Sequence, residues 1–422
     1  MRPALLVDPL LLTAPTNASR LSVYELERAR VLKPHAPIPF DTRIGYRGNV
    51  ATPIHPVLDV PHWSFLHAWA KTRFQCTITE RQIEEVALSQ RVLSELALAW
   101  QPANLRVRDH NVFALKDASE AIFSSGAAEA CASLFMMSRG YLRWDHVPSL
   151  INRRLHKQCA HPERTRRARA IAGKVGVKFP AKEPDFLFEK ANGESALMES
   201  KGLLPNPGER ATVKTRLREA LTQLAGWSRF ILPTPAKAFG VATVLRELSD
   251  DVDSHIAFVD PEGGPPDEGN AAFLPADWLR RGSYGSWLVG MGLIEAGEAL
   301  RWGRSKERGE TQLPVIRLGG RSFAFSGQIA ADWRLPPSLR YLLFEEIWPL
   351  DFVFILGIDT QVLGKLSTAI RDGERVIEVD PLPEEPVRDP QWKGSVFRDG
   401  TAFGVLRRPF AHDVITLETF NL

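Results

Sequence analysis

The sequence predicts a mixed α/β fold, and three observations carry that expectation. Apolar residues at helical spacing alternate along the chain with short apolar runs of strand length. An Asn-Gly turn at residues 192–193 joins two such runs. The hydrophobic and charged fractions, 44% and 24%, are those of a globular protein. At 422 residues the chain exceeds one ordinary core. Three regions are expected: a mainly helical amino-terminal region over 1–145, an α/β domain over 146–262, and a mixed α+β carboxy-terminal domain over 272–422.

The elements follow in order. The first sixty residues are rich in Pro with little periodicity and predict extended segments lying on a neighbouring core. TITERQIEEVALSQRVLSELALAW opens with Thr79 and Gln82 as a capping box and carries apolar residues at Ile83, Val86, Val92, Leu93 and Leu96, which predicts a helix. DASEAIFSSGAAEACASLFMMSRGYLRW, starting at Asp117, predicts a second, buried helix. PDFLFE and SALMESKG, joined by ANGE, read as adjacent antiparallel strands. Val213, Leu217, Ala220, Leu221 and Leu224 then give a helix, and KAFGVATVLREL and HIAFVDP give two further strands.

DPEGGPPDEGN, residues 260–270, combines Gly, Pro and acids and marks a domain boundary. Beyond it lie a helix (SWLVGMGLIEAGEALRW), a hairpin (VIRLGGRSFAFSG), a helix (PPSLRYLLFEEIW) and a hairpin (SVFRDGTAFGVL) turning at Asp399 and Gly400. Cys76, Cys131 and Cys159 form no CxxC pair, which argues against a disulfide framework and suits a reducing cytosol. Asp8 and Pro9 interrupt the amino-terminal apolar run, no long uninterrupted apolar stretch occurs, and a cytoplasmic chain without a membrane partner is expected.

Charge is unevenly placed. The net charge is only +3, from 53 Lys and Arg against 50 Asp and Glu. Yet residues 153–178 carry nine basic side chains against one acid, Glu163. Arg164, Arg166, Arg167, Arg169 and Lys174 in this run are candidate nucleic-acid contacts; without that role, the run is the solvated face of a helix. His156, Cys159 and His161 lack a partner cluster at zinc-finger spacing. Gly290 and Gly292 are followed by Glu295 where a dinucleotide loop needs its third Gly, and read as helix packing. No P-loop or GxSxG elbow occurs.

The stretch 184–202 carries the chemistry. On a strand, Leu197, Glu199 and Lys201 share one face, so the acid and the lysine point into the same space. The hairpin brings Asp185 close to Glu199, and two carboxylates at that distance repel unless a divalent cation such as Mg²⁺ or Mn²⁺ lies between them. A lysine beside such a cation can stabilise a phosphate. The plain alternative is a same-face ion pair at a strand end.

Pro184-Asp185 followed by Glu199-Ser200-Lys201 resembles the motif of the PD-(D/E)XK nuclease superfamily. The resemblance covers roughly residues 150–260 and implies a restriction-endonuclease-like αβββαβ core with the motif on two adjacent strands. It implies that Asp185 and Glu199 bind metal, that the Ser200 carbonyl can add a ligand, and that Lys201 serves catalysis. Gln223 stands where some members carry the Gln of a Gln-x-x-x-Tyr element, with Trp227 in place of the tyrosine; Glu163 would supply the acid that some members place on the preceding helix. The function implied is a Mg²⁺- or Mn²⁺-dependent nuclease acting on DNA or RNA, with DNA favoured, in settings such as restriction, phage defence or mobile-element processing. The large flanks suggest control by a protein partner or by self-assembly. The alternative is a non-catalytic subunit on a nuclease-like scaffold that binds nucleic acid or a partner, with Trp333, Tyr341 and Trp348 as candidate contacts.

Overall fold

The computed structural model describes residues 18–33, 55–76, 97–109, 117–155, 180, 182–209, 211–260, 271–305, 309–325, 352–373, 376–383, 392–407 and 415–422. Most of the helix expected from Thr79 (up to residue 96), the basic stretch from 156 to 179, the boundary loop after Asp260 and the helix at 336–348 lie outside these residues; the described end of the first, Leu98–Trp100, is a strand paired with Leu105–Val107 rather than helix.

The described elements run β1 (Ser19–Glu25), α1 (Arg28–Leu32), β2 (His55–Val60), α2 (His62–Cys76), β3 (Leu98–Trp100), β4 (Leu105–Val107), α3 (Asp117–Ser138), β5 (Tyr141–His146) and α4 (Val147–Leu155). They continue with β6 (Phe186–Lys190), β7 (Ser195–Leu203), α5 (Val213–Phe230), β8 (Ile231–Leu232), β9 (Lys237–Val244), β10 (His255–Val259) and β11 (Ala272–Phe273). The last group is α6 (Trp278–Gly290), α7 (Ile294–Trp302), β12 (Glu310–Leu318), β13 (Arg321–Phe325), β14 (Phe352–Asp359), α8 (Thr360–Arg371), β15 (Trp392–Val396), β16 (Thr401–Arg407) and β17 (Ile415–Asn421).

The fold is mixed α/β. Seven strands in the order β2-β1-β10-β9-β7-β6-β5 form one sheet and six, β15-β16-β14-β13-β12-β17, form the other. In the first sheet β5, β6 and β7 are antiparallel neighbours, while β7 and β9 are parallel and joined through α5. Parallel neighbours need such a crossover, because a tight turn cannot reverse the chain twice. The Asn-Gly hairpin forms as expected, with Gly193 at φ 84°, a value open to glycine because it has no Cβ.

Three expectations are corrected. Region 1–145 is not a separate helical unit: beside its three helices, its described residues supply five strands, of which β1, β2 and β5 complete the seven-stranded sheet across the boundary at 145/146. The helix from Asp117 stops at Ser138, and YLRW becomes strand β5, because Gly140 at φ 88° breaks the helix. The single helix at 286–302 is two, separated by Gly292 at φ 78°; the glycines that let α6 and α7 touch are Gly285 and Gly297, where an added Cβ would fall 2.7 and 2.6 Å from the facing carbonyls.

Helices cover both faces of the first sheet, α3 against β7 and β9 on one side and α5 against the same strands on the other. The alternation along β7 decides which core each residue joins: Ala196 and Met198 pack with Ala127 and Phe135 of α3, Leu197 with Leu224 and Trp227 of α5. The expected apolar residues of α5 are all buried. Each Leu among them gains about 1.5–3 kcal/mol from burial. Glu120–Ser138 of α3 is long and apolar enough to cross a membrane by length and composition, but 67% of it is buried inside the fold.

One apolar cluster runs from Leu21 to Leu422, so the two large sheets share a core. The joint between them is ionic as well. Lys71 of α2, 1% exposed, pairs with Asp399 in the β15–β16 turn, and Tyr284 of α6 donates to the Asp399 carbonyl at 2.9 Å. Arg143 of β5 donates to Tyr284 at 3.1 Å and lies 3.8 Å from Glu189 of β6, which Arg280 clamps with two bonds of 2.8 and 3.0 Å. Removing one partner of a buried pair strands the other charge in a low-dielectric setting. Lys71→Ala is therefore expected to cost about 3–5 kcal/mol in urea unfolding, with most of that recovered in the double variant Lys71→Met with Asp399→Leu.

Candidate functional site

The site arises where two strands part. β6 pairs with β7 only from Ser195 to Met198, whereas β7 runs on beside β9 to Leu203. Beyond the Phe186–Met198 pair the two carboxylates take over the backbone donors. Asp185 N–H donates to Glu199 Oε2 at 3.1 Å, and Ser200 N–H donates to Asp185 Oδ2 at 2.8 Å. The Asp185 carbonyl accepts from Val147 N–H at 3.0 Å, which ties the same residue to the end of β5. Each acid is thereby fixed to the strand that carries the other.

Lys201 lies two residues on, on the same face. Its Nζ donates to Glu199 Oε1 and, at 2.8 Å, to Gln223 Oε1 of α5. Gln223 Nε2 donates to the Glu183 carbonyl at 3.0 Å, so one amide fixes both the lysine and the chain leading into Asp185. The expected Asp185, Glu199, Lys201 and Gln223 therefore meet in one place, with Ser200 between the two β7 side chains. Trp227, one turn after Gln223, belongs to the core with Leu197 and Phe230.

Sequence reading missed Glu129. It stands on α3, the helix before β5, and its charge raises the Asp185 pKa. Ser125 Oγ donates to Glu129 Oε1 at 2.7 Å, while Oε2 is buried with no hydrogen-bond partner among the described residues. What brings α3 so near is Gly202, where an added Cβ would sit 2.4 Å from the Ser124 carbonyl. The signal was the one acid after Glu120 in the apolar body of the helix.

The acid cluster is electrostatically loaded. Burial, then the charges of Glu199 and Glu129, hold the Asp185 carboxyl well above the usual range against the pull of Ser200 N–H and Lys201. Burial also raises Glu199 against Lys201, and raises Glu129 against Arg73 and Ser125. Among the described residues no three His, Cys, Asp or Glu side chains form a ready-made metal cluster. The donor set nevertheless fits a hard divalent cation. It consists of two carboxylates facing each other, a backbone carbonyl at Ser200 and, beyond them, the unpaired Glu129 oxygen.

Of the expected nucleic-acid contacts, Arg164, Arg166, Arg167, Arg169 and Lys174 lie outside the described residues, as do Glu163, His156, Cys159, His161, Trp333, Tyr341 and Trp348. The first two residues of the basic run are described, and only Arg153 departs from a solvated face. Arg153 is fully buried against Asp145, and Arg154 donates to the Phe273 carbonyl at 2.9 Å.

No family model, curated protein or solved structure matches this chain. The geometry alone therefore carries the functional reading.

A raised carboxyl pKa means that the folded state keeps protons which the unfolded chain has released. The stability contributed by Asp185, Glu199 and Glu129 is full below about pH 4 and is lost as pH rises through their folded values. In EDTA, the melting temperature should show this loss as pH rises, and Asp185→Asn should reduce it. Adding Mg²⁺ or Mn²⁺ at pH 7 should restore stability to the natural chain more than to the variant.

Proposed function

We propose that the chain is a metal-dependent nuclease that hydrolyses phosphodiester bonds of nucleic acid. The observation that carries the reading is the convergence of Asp185, Glu199 and Lys201 at one strand divergence, with Gln223 holding the lysine. Among the described residues the order α3-β5-β6-β7-α5-β9, interrupted by the short α4 and the two-residue β8, supports the αβββαβ core that the motif implies. Glu129 occupies the helix before the first strand of that core.

Asp185 and Glu199, with the Ser200 carbonyl, would hold Mg²⁺ or Mn²⁺. Bound there, the cation would make a coordinated water more acidic and offset the negative charge that builds on phosphorus. The chain's own residues do the rest. Reciprocal bonds to backbone N–H groups keep both carboxylates in place, so little reorganisation accompanies binding. Lys201 donates to two acceptors and pairs with Glu199, suited to stabilise a phosphoryl oxygen. Gln223 prevents it from swinging away.

The test is cleavage of end-labelled single- and double-stranded DNA and RNA in Mg²⁺, in Mn²⁺ and in EDTA. Cutting is expected only with metal, and Asp185→Ala and Lys201→Ala are each expected to lower the rate by about 100-fold or more while nucleic-acid binding persists. Binding without cutting in every condition would favour the non-catalytic scaffold.

A further inference from the structure

The acid site itself reads no base, because two carboxylates and a lysine act on a single phosphate. The surface beside it is more selective. Among the described residues, the large apolar side chains left exposed include one aromatic ring, Phe273 of β11, which is 60% exposed. Its backbone is locked in place. Ala272 and Phe273 pair with Ile231 and Leu232 of β8, and Leu274 N–H donates to the Leu232 carbonyl at 2.7 Å. Strand alternation then sends Ala272 and Leu274 into the core with Leu224 and Trp227, and turns Phe273 outward.

A cation is fixed to the same residue. Arg154, in the last turn of α4, donates through Nε to the Phe273 carbonyl at 2.9 Å. Arg229, exposed in the last turn of α5, lies two residues before Ile231, the strand partner of Ala272. We infer that Phe273 is a stacking platform for one base of a single-stranded nucleic acid, with Arg154 beside it to meet the strand's phosphates. This names the substrate class of the proposed nuclease and rests on that reading. Every base has a π-face, so one exposed ring holds a base of any sequence, and an arginine beside it tracks the backbone. Bases inside a duplex are already stacked on both sides, whereas those of a single strand can be splayed onto a side chain. A protein partner would need a contiguous apolar patch, and among the described residues the neighbours of the ring are side chains turned into the core and arginines.

α4 ties the platform to the acid pair. Val147 N–H, at its start, donates to the Asp185 carbonyl at 3.0 Å, and Arg154, near its end, closes on Phe273. At about 1.5 Å per residue, the two contacts are about 10 Å apart along the helix, a distance that a few nucleotides span. The helix is itself held, since Arg153 pairs with Asp145 and Trp278 Nε1 donates to the Leu150 carbonyl at 3.1 Å.

The experiment measures binding of labelled single strands of DNA and RNA, and of a blunt DNA duplex, in EDTA so that no cleavage intervenes. The natural chain is compared with Phe273→Ala, Phe273→Leu, Phe273→Trp and, as a control, Leu417→Ala, a side chain 67% exposed on β17. Phe273→Ala is expected to weaken single-strand binding about tenfold and duplex binding by less than about twofold, with the melting temperature unchanged. Phe273→Leu should lose as much, because it keeps the apolar bulk without the ring, whereas Phe273→Trp and Leu417→Ala should bind as the natural chain does. A 2-aminopurine base placed in the strand should be quenched by the natural chain and not by Phe273→Ala. Unchanged single-strand binding in Phe273→Ala, an equal loss on the duplex, or full binding by Phe273→Leu would overturn the inference. So would a natural chain that self-associates in sedimentation and becomes monomeric as Phe273→Ala, which assigns the ring to a contact between copies. Cleavage of the same strands in Mg²⁺ separates the two readings. A chain that cuts but shows no dependence on the ring overturns this inference alone; one that stacks the base but cuts nothing overturns the nuclease reading alone.

Discussion

The exchange of bonds between Asp185 and Glu199 is the constraint on which the site depends. A β ladder normally ends in unpaired N–H groups, and burying them unpaired costs free energy. Here the ladder between β6 and β7 ends at Phe186 and Met198, and each strand's next carboxylate satisfies a donor on the other. The strands can part without orphaned donors, and the parting leaves two acids facing each other. Two buried carboxylates would not persist on these bonds alone. Lys201 and the fold's accumulated packing offset their desolvation.

That packing is asymmetric about the sheet. α5 covers one face with Leu217, Leu224 and Trp227 and contributes Gln223 to the site; α3 covers the other and contributes Glu129. Gly202 is what allows the second contribution, since any side chain there would strike the Ser124 backbone. The same helix pair that buries the sheet thus sets the electrostatics at its end. The candidate site and the core packing share residues here, and neither can be changed independently.

The carboxy-terminal sheet is bound to this arrangement through α2. Lys71 meets Asp399 at the β15–β16 turn, His67 stacks on Phe397 with ring centroids 3.7 Å apart, and Arg73 reaches Glu129 from the same helix. Buried ionic contacts of this kind add little net stability over apolar ones of equal volume, but they fix register, because a slipped arrangement strands charges. The placement of α2 relative to both sheets is therefore narrowly defined.

Much of the site was legible in the sequence. Strand alternation put Glu199 and Lys201 on one face, the Asn-Gly turn set the hairpin, and helical spacing placed α5 and Gln223 behind it. These are short-range rules, and chain geometry enforces them within a few residues. What the sequence could not decide was which distant elements close around that hairpin. Glu129, 56 residues before Asp185, and Arg73, 112 residues before it, come to the site through helix packing, and β1 and β2 join the sheet through parallel and antiparallel pairing with β10 and with each other. Nothing in local pattern distinguishes an acid that faces the site from one that faces solvent, because that choice depends on the whole core. Residue type and spacing determined the Asp185–Glu199 pair with Lys201 beside it; only tertiary packing decided that Glu129 is the third acid near them.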